Sequence, residues 1–86
     1  MGTNPAEIEI QKRLTEQIAL VVSVKPGAVK PDAALHELGM DSMGFVEMLV
    51  FIEKQFGLKL IETGLKREDF QTVQSLAKRI HDELRS

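Results

Sequence analysis

The 86-residue chain contains no cysteine, no tryptophan and no tyrosine. Without cysteine there is no disulfide framework, no thiolate metal site and no cysteine nucleophile of the chain's own. Without Trp or Tyr, an aromatic stacking platform for single-stranded nucleic acid is disfavoured. A basic excess is also missing: 11 Lys and Arg stand against 13 Asp and Glu, a net charge of -2. Duplex binders carry a basic stripe, so a small DNA-binding helical domain is disfavoured. No apolar run approaches the roughly 18 residues of a membrane span. The N-terminus lacks the basic and apolar regions of a secretory signal, and Ala6 stands where myristoylation asks for Ser or Thr. The expectation is a soluble cytoplasmic protein, most simply a monomer.

What is present suits one small globular domain over residues 1–86. Hydrophobic residues make 43% and charged residues 28%, too apolar for disorder and too short for a second core. No repeat, low-complexity run or flexible linker is visible.

Four segments carry helical signals. In the first, Asn4 is a potential cap, Pro5 suits a first helical position and Glu7 holds the capping-box position. Ile10, Leu14, Ile18 and Val21 then recur at helical spacing to an end near Val22. A long connection follows to about Asp41, broken by Pro26, Gly27, Pro31 and Gly39. A connection this long is uncommon unless pinned or functional; Leu35 and Leu38 are its candidate pins.

The second helix is expected from Ser42 to Phe56, capped by Asp41 or Ser42 and stopped by Gly57. With Ser42 at zero, Phe45, Met48, Leu49, Ile52 and Phe56 fall between roughly 240° and 340°, the expected buried face. Met43, Val46 and Val50 fall between roughly 40° and 100°, beside Ser42. They form a second apolar strip flanked by Glu47 and Glu53. Phe51 lies off the buried arc, and packing under the long loop or a short third helix is open to it. Leu58 to Gly64 is expected as loop, Leu65 to Phe70 as a short helical turn. Thr72 should cap a last helix with Val73, Leu76, Ala77, Ile80 and Leu84 on one face. The fold class is all-α: a small four-helix bundle, three main helices plus a short third, with a long loop between the first two.

Leu38-Gly39-Met40-Asp41-Ser42-Met43 places a serine hydroxyl at a helix start after a glycine-containing loop. Unpaired N–H groups and the positive dipole end favour an attached phosphate there. From spacing alone, simple capping is the commoner role of such a serine. The metal reading is weak: His36 and His81 stand far apart without a second ligand at helical spacing. His81, Lys78 and Arg79 read as surface residues of the last helix, beside Asp82 and Glu83.

The same stretch resembles the phosphopantetheine attachment motif of the acyl carrier protein family. Val24-Lys25-Pro26, Pro31-Asp32-Ala33, Val46-Glu47, the run from Glu53 to Phe56 and Thr72-Val73 extend the likeness over nearly the whole chain. The resemblance implies that Ser42 accepts 4'-phosphopantetheine from coenzyme A, with Asp41 helping to place the transferase's metal or basic side chains. It implies a carrier without catalysis of its own, holding acyl groups as thioesters on the arm's thiol. The pathway would be lipid, fatty acid, polyketide or other specialised biosynthesis. The implied partners are a phosphopantetheinyl transferase, an acyl-loading ligase or synthase, and acyl-transferring enzymes. They would read Met43, Val46, Glu47, Val50 and Glu53. An acyl chain folding back between the helices is also implied, with Phe45 and Met48 shaping the space. Carriers of bacterial fatty acid synthesis have an acid where Gly44 stands; Asp41-Ser42-Met43-Gly44 and Gln55-Phe56-Gly57 are more similar to freestanding D-alanyl-type carriers. An aminoacyl or D-alanyl carrier loaded by an AMP-forming ligase is therefore the near alternative. An unmodified helical interaction module using the same strip is the distant one.

Overall fold

In the computed structural model, residues 6–64 and 66–85 are described. Three α-helices carry the fold: α1 (Glu7–Val22), α2 (Ser42–Phe56) and α3 (Val73–Arg85). Short 3-10 turns at Pro26–Ala28, Leu35–Leu38, Leu60–Thr63 and Arg67–Phe70 fill the connections. The described residues form no strand, only an isolated antiparallel bridge between Ala34 and Thr72. The all-α class stands, with the expected short third helix realised as the 3-10 turn Arg67–Phe70.

The helices bury the faces that their spacing marks. Ile10, Leu14 and Ile18 of α1 are fully buried, as are Met48 and Ile52 of α2 and Val73, Leu76, Ala77 and Ile80 of α3. α1 makes its most extensive contact with α3. The start of α1 differs from expectation. Ala6 is extended (φ -64°, ψ 156°) and flanks the first helical residue, Glu7, while Asn4 and Pro5 lie outside the described residues. Ala6 has no side-chain oxygen, so its carbonyl alone meets the helix, accepting from Glu9 and Ile10 N–H at 3.0 and 3.1 Å. Leu65, the expected start of the short helical turn, also lies outside the described residues.

The long connection is pinned at both backbone and side chain. Leu35 and Val29 are buried in the core. Leu35 N–H donates to Gln71 O at 2.9 Å, and Gln74 N–H donates to Pro31 O at 2.9 Å. The connection is thereby tied to the start of α3. That start is capped reciprocally: Ser75 N–H donates to Thr72 Oγ1 and Thr72 N–H to Ser75 Oγ, both at 3.0 Å.

Two side chains sit differently from expectation. Phe51 is half-buried and packs against the core. It borders a groove with Arg13, Glu16 and Leu20 of α1, so it faces α1, not the long loop or the short third helix. Arg79 is the fold's electrostatic clasp rather than a surface charge. Its Nη1 donates to Asp69 Oδ2 at 3.1 Å and its Nη2 to Thr63 O at 2.7 Å. Nε lies 3.3 Å from Glu83 Oε2 but off line for a hydrogen bond, so that contact is purely electrostatic. The side chain is only 18% exposed, which makes these charge-assisted bonds stronger than surface pairs. Arg79→Met keeps the apolar stem and should lower unfolding free energy by about 1–3 kcal/mol. A denaturant titration checks this; a loss under about 0.5 kcal/mol, typical of an ordinary surface change, would reduce the clasp to decoration.

Candidate functional site

The connection reaches α2 through the turn Leu35–Leu38, whose first two carbonyls accept from Gly39 N–H (His36 O) and Met40 N–H (Leu35 O), both at 3.2 Å. Gly39 has φ +99°, a conformation that a Cβ would strain. This reversal sets Met40 and Asp41 at the base of α2. Asp41, extended at the cap, accepts from Gly44 N–H through Oδ1 at 2.8 Å. Asp41 is therefore the cap, and Ser42 is the first residue inside the helix. Ser42 is exposed, and among the described residues no protein group bonds its hydroxyl. The first-turn N–H groups have no intrahelical acceptors, and the dipole end is positive.

Gly44 is buried, and its reason is contact rather than conformation. A Cβ there would lie 2.9 Å from Val21 Cγ1 and 3.3 Å from Met40 Cγ. The start of α2 leans on the end of α1 so closely that only glycine fits without a shift. Any larger residue at this position meets the same contacts.

The strip beside Ser42 faces solvent. Met43 is 69% exposed, Val46 52% and Val50 47%, with exposed Glu47 and Glu53 at its edge. Sequence reasoning missed its neighbour: Ile61, 74% exposed, shares a shallow groove with Val46, Val50 and Glu53. Leu60 and Ile61 are adjacent apolar residues in a segment without periodicity, so nothing in the sequence says that one is buried and the other exposed.

Where the connection meets the first turn of α2 lies a cleft of about 520 Å³, lined by Leu35, His36, Met40, Phe45, Phe70 and Gln71. Phe45 was expected on the buried face. It is 36% exposed and stacks instead on Phe70, ring centroids 4.0 Å apart and planes tilted by 41°. The helical wheel gives its direction correctly but not its height; in the first turn of α2 the core has ended. His36 is exposed and His81 half-buried. Among the described residues no group of three or more His, Cys, Asp or Glu is placed to hold a metal. None of the described helices is long and apolar enough to cross a membrane.

The fold is thus three helices with a pinned loop, a carboxylate-capped second helix and an exposed serine hydroxyl at its start. The family model described as phosphopantetheine attachment site matches residues 12–80, and the chain belongs to that family, whose prosthetic group is 4'-phosphopantetheine. The chain is 28% identical over 81 residues to Aminoacyl carrier protein 2 of Bradyrhizobium diazoefficiens, covering 92% of this chain and 91% of that protein. It is 29% identical over 77 residues to Aminoacyl carrier protein 1 of the same organism, 90% of this chain and 80% of that one. It is also 37% identical over 60 residues to Non-reducing polyketide synthase ausA of Aspergillus calidoustus, 70% of this chain but 2% of that protein. An exposed hydroxyl without a protein partner among the described residues, at the positive end of a helix, fits a phosphate ester.

Proposed function

We propose that Ser42 is the attachment residue and that the chain carries acyl groups as thioesters on 4'-phosphopantetheine for specialised biosynthesis. The observation that carries this is the division of labour at the start of α2. Asp41 Oδ1 satisfies Gly44 N–H, so the Ser42 hydroxyl has no capping task and stands exposed. In the transfer, Ser42 Oγ forms the new bond to the pantetheine-bearing phosphorus of coenzyme A. Its proton passes to the transferase, the pyrophosphate P–O bond breaks, and the nucleotide bisphosphate leaves. The group bound at Ser42 supplies a thiol that this cysteine-free chain lacks; the protein itself presents the cargo and catalyses nothing.

Met43, Val46 and Val50, with Glu47 and Glu53 at the edge, are the surface offered to the transferase, to loading ligases or synthases, and to acyl-transferring enzymes. An apolar centre with a charged rim suits a transient interface. The acids speed encounter with basic partners more than they tighten the complex. A cytoplasmic monomer serves such exchanges best. The two Bradyrhizobium relatives, which match nearly the full chain, favour a second reading: aminoacyl cargo loaded by an AMP-forming ligase.

Incubation with coenzyme A and a broad-specificity phosphopantetheinyl transferase tests the attachment. Intact mass should show one phosphopantetheine added to the wild type and none to Ser42→Ala. Addition to the alanine variant, or none to a folded wild type with two active transferases, would defeat the assignment.

A further inference from the structure

The cleft beside Ser42 and the interior behind it are separated by two rings. Phe45 and Phe70 line the cleft together with buried Leu35, their centroids 4.0 Å apart. Phe70 is 7% exposed, while Phe45 keeps 36% of its surface in solvent, so the pair spans the passage from surface to core. Met48 and Ile52 follow Phe45 by one and two turns on the same face of α2 and are fully buried, as is Val73, one turn beyond Phe70. None of these three lines the cleft. An interior at native packing density admits no chain unless its side chains move, and here the two largest must move first. With the rings, Met40, Leu35, His36 and Gln71 complete a mostly apolar cleft without a carboxylate or an ammonium in its lining. Its volume of about 520 Å³ is that of an ordinary small-ligand cleft.

We infer that the Phe45–Phe70 stack is a gate that keeps attached cargo out of the core and seats it in the outer cleft against Met40 and Leu35. The inference rests on carriage of cargo at Ser42. It departs from the fold-back between helices that the sequence resemblance implies. A carrier built this way favours short acyl groups, which the outer cleft covers; a long chain stays partly in water because the rings deny it the interior. Phe45 is the specificity-determining residue, since it is the half-exposed member and the one whose removal opens the passage.

The chain has no cysteine and four methionines, which makes a direct test available. Ser42→Cys creates a single thiol, to which n-butyl or n-dodecyl groups are joined as mixed disulfides with alkyl methanethiosulfonates, with no transferase involved. Carbon-13 methionine-methyl spectra then report position: Met40 lines the cleft, Met48 lies behind the rings, and exposed Met43 is a surface reference. Both alkyl groups should shift the Met40 methyl signal and leave Met48 within its linewidth. In Ser42→Cys combined with Phe45→Ala, dodecyl should shift Met48 as well. A dodecyl-induced Met48 shift with Phe45 in place, or no Met40 shift with butyl, overturns the gate. So does an unmoved Met48 in a folded double variant carrying dodecyl. If the double variant does not fold, the arms with Phe45 present still decide. Failure of the carrier reading is seen separately, as absence of phosphopantetheine addition to the unsubstituted chain.

Discussion

Gly44→Asp should destabilise the protein strongly, whereas Gly44→Ala should only weaken it. The alanine Cβ would sit 2.9 Å from Val21 Cγ1 and 3.4 Å from Asp41 Oδ1. Val21 is β-branched and stiff at χ1, so α1 and α2 have to part slightly. Overpacking of this kind costs about 1–3 kcal/mol, offset by up to about 1 kcal/mol of helix propensity gained over glycine. The net loss for alanine is then about 0–2 kcal/mol. Aspartate brings the same clash and adds a carboxylate in a buried position next to the carboxylate of Asp41. Desolvation and like-charge repulsion both oppose it. An acid in a first helical turn gains only about 0.3–1 kcal/mol from the dipole, which is the smaller effect. At about 0.05–0.15 kcal/mol per residue, a domain of this size has roughly 4–13 kcal/mol of stability, so a loss of several is a large fraction of it. Far-UV circular dichroism and urea titration of both variants decide the matter. An aspartate variant within about 1 kcal/mol of wild type, a typical single-site effect, would mean that Val21 moves aside at little cost.

The neighbouring pair Leu60 and Ile61 should behave oppositely. Leu60 is 1% exposed and Ile61 74%, though both belong to the same 3-10 turn. Leu60→Ala removes the one buried side chain of that turn and leaves a cavity against the core. The expected loss is about 2–5 kcal/mol, and the turn carrying Thr63 should loosen with it, together with its bond to Arg79. Ile61→Ala should stay within about 0.5 kcal/mol of wild type, as exposed substitutions do. The comparison is made by denaturant midpoints under one condition. Equal losses at the two sites would mean that the turn is not anchored as described.

These two positions also mark what the sequence could and could not disclose. Where apolar residues repeat, as in Ile10-Leu14-Ile18 or Val73-Leu76-Ile80, period alone located the helix and its buried side, because every turn contributes the same face to one core. The boundaries of α2 are legible from the pair Asp41 and Ser42, either of which suits a cap, and from Gly57, whose chemistry is tied to helix ends. Leu60 escaped because a single buried residue in a short turn leaves no period. Phe45 reads as buried, and Phe51 is left without a neighbour, because a helical wheel records direction around an axis. It says nothing of how far along the axis the core extends, or which neighbour covers a given angle. For the same reason Gly44 looked like a mere departure from a motif, when the close approach of Val21 requires it. The candidate site was legible as a motif through Leu38–Met43. The assignment of the cap to Asp41, which releases Ser42, came only from the geometry.

The backbone bonds joining residues 31 and 35 of the connection to Gln74 and Gln71 bear on how this protein meets its partners. Segments that order only on contact add their lost conformational entropy to every association, about 1–2 kcal/mol for each backbone residue fixed. Here residues 31 and 35 are already tied to the start of α3, so the base of α2 is offered with part of that ordering in place. A molecule handed from enzyme to enzyme can then form complexes that are specific yet short-lived, since less of each contact's free energy goes into organising the chain.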